Sequence, residues 1–195
     1  MNMKTWRRSF NIFLLAAGVV LGSGCHSSGL NPNKQYATVS VFMEGRRGES
    51  LPVHIGQDPT PIYVAPEALL TEEDLEKATL LDNPDGTYGI QLTFNDHGKL
   101  VLDMQTTSNK GRHLVIFAKF PPKGWKEPKE DAAPAVEKPG AGKSRASAWL
   151  AAPLIPGNGF SSGSLLFAPD ASHEEAELIV RGLNNMVAAM NKMDN

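Results

Sequence analysis

Tyr88-Gly89-Ile90-Gln91-Leu92-Thr93-Phe94 runs directly into Asn95-Asp96-His97-Gly98-Lys99-Leu100-Val101-Leu102. In the first run Tyr88, Ile90, Leu92 and Phe94 alternate with Gly89, Gln91 and Thr93, the period-two signature of a strand with one apolar face. At Asn95 the period changes. Asn is a good N-cap, and it looks like the start of a helix running to about Thr107. A half-apolar strand feeding a helix points to a sheet covered by helices.

Downstream, His113 to Phe120 is a strongly apolar run that reads as a central strand. Residues 121–145 then hold five Pro and three Gly among many Lys and Glu, with almost no large apolar side chain. Such a segment buries too little to offset its ordering entropy, which predicts a mobile insertion. Ala146 to Ile155 and Ser164 to Ala168 read as two more strands, separated by a turn region rich in Gly, Ser and Asn. Ser172-His173-Glu174-Glu175 is a capping box. It opens a final helix whose Ala176, Ile179, Val180, Leu183, Val187 and Met190 form an apolar stripe.

Upstream, Tyr36 to Phe42 and Pro61 to Ala65 read as strands, and Asn83-Pro84-Asp85-Gly86 as a turn. Thr71-Glu72-Glu73-Asp74 reads as a third helix start, with Thr71 as cap, acids at the positive end of the dipole, and Leu75 and Ala78 beginning an inward face. The predicted order is β-β-α-β-α-β-insertion-β-β-α. The expected fold is α+β: a mainly antiparallel sheet with two to three helices packed on one face, in a single domain over 36–192.

The first residues carry Lys4, Arg7 and Arg8 with no acid, then an apolar or small-residue stretch from Ile12 to Gly22. A membrane span needs ~20 apolar residues, so this stretch reads as the core of a targeting signal over residues 1–24. It ends in Leu21-Gly22-Ser23-Gly24-Cys25, which looks like a bacterial lipobox. That resemblance implies cleavage before Cys25 and acylation of its thiol. The alternatives are an ordinary cleaved signal with an incidental Cys, or a short uncleaved anchor. Cys25 is the sole cysteine in 195 residues, so no disulfide framework competes for it. Two or more acyl chains hold a protein stably on a membrane. By the sorting rule of enterobacterial lipoproteins, His26 in place of Asp points to the outer membrane where there is one. Residues 25–35 are polar, with Gly, Pro and Asn, and read as a flexible tether.

All of the signal's charge is basic, so the remainder is more acidic than the −2 of the whole chain. Nothing there would neutralise phosphates, and nucleic acid is not an expected partner. No second apolar run reaches membrane-spanning length.

The stretch from about Ile62 to Asn184 resembles the head subdomain of the first periplasmic domain of SecD and SecDF, the protein-export membrane proteins. Three landmarks carry the resemblance. Gly98, Leu102 and Thr106 step along a helix, with Asn109 and Gly111 ahead of the strand Leu114–Phe117. Ala151-Ala152-Pro153-Leu154-Ile155 is a small-residue-Pro step, with Gly157, Gly159 and Gly163 after it. Glu175-Ala176 opens a helix with Ile179, Val180 and Leu183. Gly98 would let a strand or turn approach closely, and Pro153 suits a sheet edge or bulge. The family's transmembrane helices, which carry its proton-coupled motor, are missing here, as is most of its base subdomain. The resemblance therefore implies a fold and contact with extended polypeptide, not translocase activity.

Residues with chemical potential read blandly. Gly140-Ala141-Gly142-Lys143-Ser144 imitates the end of a P-loop, but Glu137 stands where the first Gly belongs and the run sits in the insertion. His26, His54, His97, His113 and His173 show no metal-binding spacing, and no metal or cofactor is expected. Ser161, Ser162 and Ser164 lack a nucleophile elbow. Glu72/Glu73 and Glu174/Glu175 are accounted for by helix starts. Trp125, Lys126 and Lys129 in the insertion, with Trp149, Phe160 and Ser161 beyond it, are the candidate interaction residues.

The expected function is a non-catalytic bacterial envelope lipoprotein with one polypeptide-binding or interaction module, facing the periplasm. One alternative is an accessory subunit of a protein-export or envelope-assembly complex. A remote one is a hydrolase built from Asp96, His97 and Asp103.

Overall fold

The computed structural model describes residues 34–121 and 147–193. The signal segment, Cys25, most of the tether, Trp125, the Gly140–Ser144 run and nearly all of the insertion lie outside the described residues.

The elements are β1 (Thr38–Glu44), β2 (Leu51–Val53), β3 (Ile62–Thr71), a 3-10 turn (Glu72–Asp74), β4 (Leu75–Asp82), β5 (Tyr88–Phe94), α1 (Asp96–Ser108), β6 (Leu114–Lys119), β7 (Ser147–Ala151), β8 (Ser164–Phe167) and α2 (His173–Met193). All strand pairings are antiparallel. The fold is α+β, as expected from the sequence, but the strands divide into two sheets. One is five-stranded in the order β2-β3-β1-β6-β7, and the other is three-stranded in the order β4-β5-β8.

The helix expected from Thr71 does not form, although its cap does. The Thr71 hydroxyl accepts from the Glu73 N–H at 3.4 Å, and the Asp74 carboxylate accepts from the Thr71 N–H at 3.0 Å. This box closes only a single 3-10 turn. Beyond it, Leu75 to Asp82 are taken up by the ladder with β5, in register Ala78↔Leu92 and Leu80↔Ile90. Capping chemistry specifies how a turn begins, and long-range pairing decides whether the chain continues as helix or strand. The capped turn is therefore a corner at which one run of chain leaves the five-stranded sheet as β3 and enters the three-stranded sheet as β4.

Two boundaries also shift, and one strand is new. The strand expected over Pro61–Ala65 continues to Thr71, because Pro66 falls where the register with β1 slips between Phe42 and Glu44. A proline at a bulge costs no ladder bond. The strand expected over Ala146–Ile155 ends at Ala151, before Ala152-Pro153, and Leu154 makes only an isolated bridge to His113. The three-residue β2, which contains Pro52, was not expected.

The helices stitch the sheets together. α1 packs on β3 and β5, and α2 packs on β4, β5 and β1. Between them lies a core that includes Ile90, Leu92, Phe94, Leu102, Leu114, Ile116, Leu150, Leu165, Ile179 and Leu183, all but sealed from solvent. Fully burying each such side chain stabilises the fold by roughly 1.5–3 kcal/mol. The expected alternation of β5 and the stripe of α2 both point into it. Val53, Val64 and Val115 form a second, smaller cluster, with Phe42, Ile55, Ile62 and Trp149 against it.

Candidate functional site

The buried residues of α1 are Gly98, Leu102 and Thr106, so the four-residue step is the packing face of the helix. At its start Asn95 caps the helix, accepting from the Gly98 N–H at 2.9 Å and donating to the Glu73 carbonyl at 3.0 Å. A Cβ on Gly98 would lie 2.9 Å from Phe94 Cβ and 3.0 Å from the Asp74 carbonyl oxygen, so a side chain there would force its neighbours to shift. Gly98 is what lets α1 sit on the Thr71–Asp74 corner.

At the other end of the face, the buried Thr106 hydroxyl donates to the Leu102 carbonyl at 2.7 Å and accepts from the Phe160 N–H at 3.0 Å. That second bond pins the loop after Pro153 onto α1. The loop returns to β5 through Gly163, whose carbonyl accepts from the Phe94 N–H at 3.1 Å. Gly163 has φ +68°, and a Cβ there would lie 2.4 Å from Lys99 Cγ. The motif residues thus fasten the loop 156–163 between α1 and β5, and so position β8. Gly111 sits in the exposed turn before β6 and donates to the Ile155 carbonyl at 3.1 Å, while the Pro153 carbonyl accepts from Leu114 N–H at 3.0 Å. Glu175 completes the capping box with Ser172, and Ala176 is buried in the core.

The four sheet edges differ. β2 is short and blunted by Pro52. On β4, the Asn184 side chain of α2 occupies both the N–H and the carbonyl of Ala78, each at 2.9 Å. On β7, the Leu150 carbonyl accepts from the Asp170 N–H at 2.6 Å. β8 is the exception. The Gly163–Phe94 bond sets the alternation, so Leu165 and Phe167 bond β5 while Ser164 and Leu166 turn their backbone groups outward. Ser162 Oγ reaches the Ser164 carbonyl at 3.4 Å. Leu166 has no such partner among the described residues, and it is 54% exposed.

Beside the end of β8 opens a groove of about 440 Å³. It is lined mainly by Leu150, Ala152, Pro153, Phe167, Pro169 and Ile55, with Asp170 at one side. An outward apolar residue between inward Leu165 and Phe167 is the sequence signal for this edge. The signal is masked because Leu165-Leu166-Phe167 is uniformly apolar, with no alternation to mark the outward position.

The candidate interaction residues do not converge. Ser161 is exposed and Phe160 half-buried on the loop beside α1, packed against the main core. Trp149 lies in the smaller cluster, with its ring 4.8 Å from Phe117 and 5.7 Å from Phe42.

Histidines pair with carboxylates across elements. His113 Nδ1 and its N–H both lie 2.9 Å from one Glu44 carboxylate oxygen, and the Arg112 guanidinium donates to the Glu44 carbonyl. Burial of Glu44 works against its charge, but hydrogen bonds from His113 and attraction to His113 and Arg112 outweigh it. The carboxyl is held below its ordinary value. His173 lies 2.9 Å from Asp82, tying the start of α2 to the end of β4. His97 lies 2.6 Å from Asp74. The set Asp96, His97 and Asp103 is not assembled: His97 turns to the corner, and Asp96 is solvent-exposed 3.6 Å from Lys99. Among the described residues no group of three His, Cys, Asp or Glu side chains could hold a metal ion. No described helix is long and apolar enough to cross a membrane.

A scan of protein-family models finds no match, and a search of curated protein sequences finds none either. Solved structures with a similar fold are found. One is of the membrane component SecDF that enhances protein export, at 19% identity over 77% of this chain and 63% of that chain, with a TM-score of 0.46. Another is of SecDF in a super-membrane-facing form, at 18% identity over 77% of this chain and 19% of that chain, with a TM-score of 0.48. The chain spans less than two thirds of either, and the likeness is one of fold.

Proposed function

We propose that this chain is a non-catalytic bacterial envelope lipoprotein whose domain holds extended polypeptide on the open edge of β8. In this reading residues 1–24 are removed, lipid on Cys25 fixes the protein to the membrane, and residues 25–35 tether a periplasm-facing domain over 36–192. The observation that carries the binding mode is the β8 edge, with outward Leu166 backbone groups beside an apolar groove. A strand added there gains main-chain hydrogen bonds without sequence preference, and its alternate side chains drop toward the groove. The Gly98–Leu102–Thr106 face and its loop keep that edge rigid, which lowers the ordering cost of binding.

Photo-reactive residues at Leu166 and Ser161 test this in cells. Cross-links from Leu166 to many envelope or exported chains are expected, with none from a control at exposed Asp103. Absence of any polypeptide adduct at Leu166 would overturn the reading. Anchoring is tested separately: Cys25→Ala should release the protein from membranes or leave the signal uncut.

The second reading is an accessory subunit of an export or envelope-assembly complex. The half-exposed Phe42, Phe117 and Trp149 rings favour it, since aromatic anchors are enriched at protein interfaces. A stoichiometric membrane partner retained in mild detergent, and lost in Trp149→Ala, would support it over transient client binding.

A further inference from the structure

We propose that the hollow between the last turns of α2 and the Thr71–Asp74 corner docks a polypeptide segment presenting a large apolar side chain beside a lysine or arginine. This site is separate from β8 and does not depend on that edge being used.

The hollow has a volume of about 480 Å³, within the range of side-chain and small-ligand sites. Leu75 and Val187, both buried in the core, form a fixed apolar floor, and Met190 is half-buried beside them. Met193, which also lines the hollow, is 56% exposed. Methionine side chains are unbranched, polarizable and adaptable, and they suit surfaces that accept varied apolar partners.

Glu73 and Glu76 stand exposed at the mouth. The corner carries Glu72, Glu73 and Asp74 with no basic residue in its turn. Asp74 is already engaged by His97 and by the Thr71 N–H. Glu76 has Lys99 at 3.8 Å, but Lys99 is shared with Asp96 at 3.6 Å. The Glu73 carboxylate has no ion pair among the described residues, and Lys192, in the last turn of α2, pairs with neither mouth carboxylate. An adaptable apolar hollow with uncompensated negative charge at its mouth is complementary to an apolar residue flanked by a cation. It disfavours an acidic segment by like-charge repulsion.

The probe is a short fluorescent peptide alternating leucine and lysine, titrated into the full chain, with a leucine–glutamate peptide as its counterpart. Binding of the cationic peptide should shift the ε-methyl NMR signals of Met190 and Met193 and weaken with added salt. The double variant Glu73→Gln, Glu76→Gln keeps the fold, since both residues are exposed, and should weaken binding roughly threefold to tenfold. Leu166→Ser should leave it unchanged, so this site and the β8 edge stand or fall separately. Equal binding of the glutamate peptide, undiminished binding by the double variant, or unmoved methionine methyls would each overturn the proposal. So would concentration-dependent sedimentation that the double variant abolishes, because the hollow would then belong to a second copy of this chain.

Discussion

The two sheets differ on the faces turned away from the main core. In the five-stranded sheet that face carries Phe42, Val115, Phe117 and Trp149, and the chain around β2 folds over it so that Val53, Val64 and Val115 are sealed. In the three-stranded sheet the corresponding face carries Thr79, Leu81, Gln91, Thr93, Ser164 and Leu166, a mixed surface open to solvent. One sheet is a two-sided wall. The other is a conventional half-buried antiparallel sheet. The wall has its edges blunted or bonded and holds the fold. The smaller sheet, fastened by α1 and its loop, keeps the outward backbone groups of Leu166 at its β8 edge.

A charge placed on each face gives the largest expected contrast. Val115 has no exposure, so Val115→Asp should cost more than about 4 kcal/mol and abolish the cooperative thermal transition. Gln91→Glu, on the half-open face, should leave the urea midpoint nearly unchanged. Equal effects would mean that the two faces are alike.

Next in size is Trp149→Ala. It removes two ring contacts over the smaller cluster and should destabilise the protein by about 2–3 kcal/mol in chemical denaturation. A loss near zero would mean the ring serves only a partner.

A smaller effect lies at the Glu44–His113 clamp, where β1 meets β6. The folded-state carboxyl of Glu44 titrates below its ordinary value of 4.5. Its contribution is therefore complete above that value and is lost as pH falls through the depressed one. Urea midpoints measured from neutral to acid pH should drop more steeply below about pH 4.5 in the parent protein than in Glu44→Gln. Parallel curves would show that the clamp adds nothing.

Smallest of all, Leu166→Ser should change stability by less than about 0.5 kcal/mol while reducing polypeptide cross-linking from a photo-reactive residue at Ser161. A large loss of stability would move Leu166 from the edge surface into the packing.

Much of the architecture was legible because it is written in local patterns. Ile90, Leu92 and Phe94 alternate and are buried; Asn95 caps α1; Ser172 and Glu175 close the box that opens α2. Gly98, Leu102 and Thr106 shared a face by spacing, and that face is the buried one. What they touch was not legible. The contacts of Gly98 with Asp74, and of Thr106 with Phe160, join residues far apart in the chain. Neither the β8 edge nor the hollow under α2 has a periodic signature. Each is assembled from segments separated by scores of residues.

The chain's own order of residues settled the α+β class and the capped starts of α1 and α2, because capping and amphipathic periodicity act over a few residues. Position in three dimensions settled the rest. Leu75 to Asp82 became a strand because β5 and Asn184 offered its backbone partners that no local helix could match. Pro66 stayed within β3 because it sits in a bulge of that strand. The division into two sheets arose from a capped turn being used as a corner. For β4 the outcome turned on which distant groups could satisfy the backbone N–H and carbonyl groups, a requirement that the order of residues does not express.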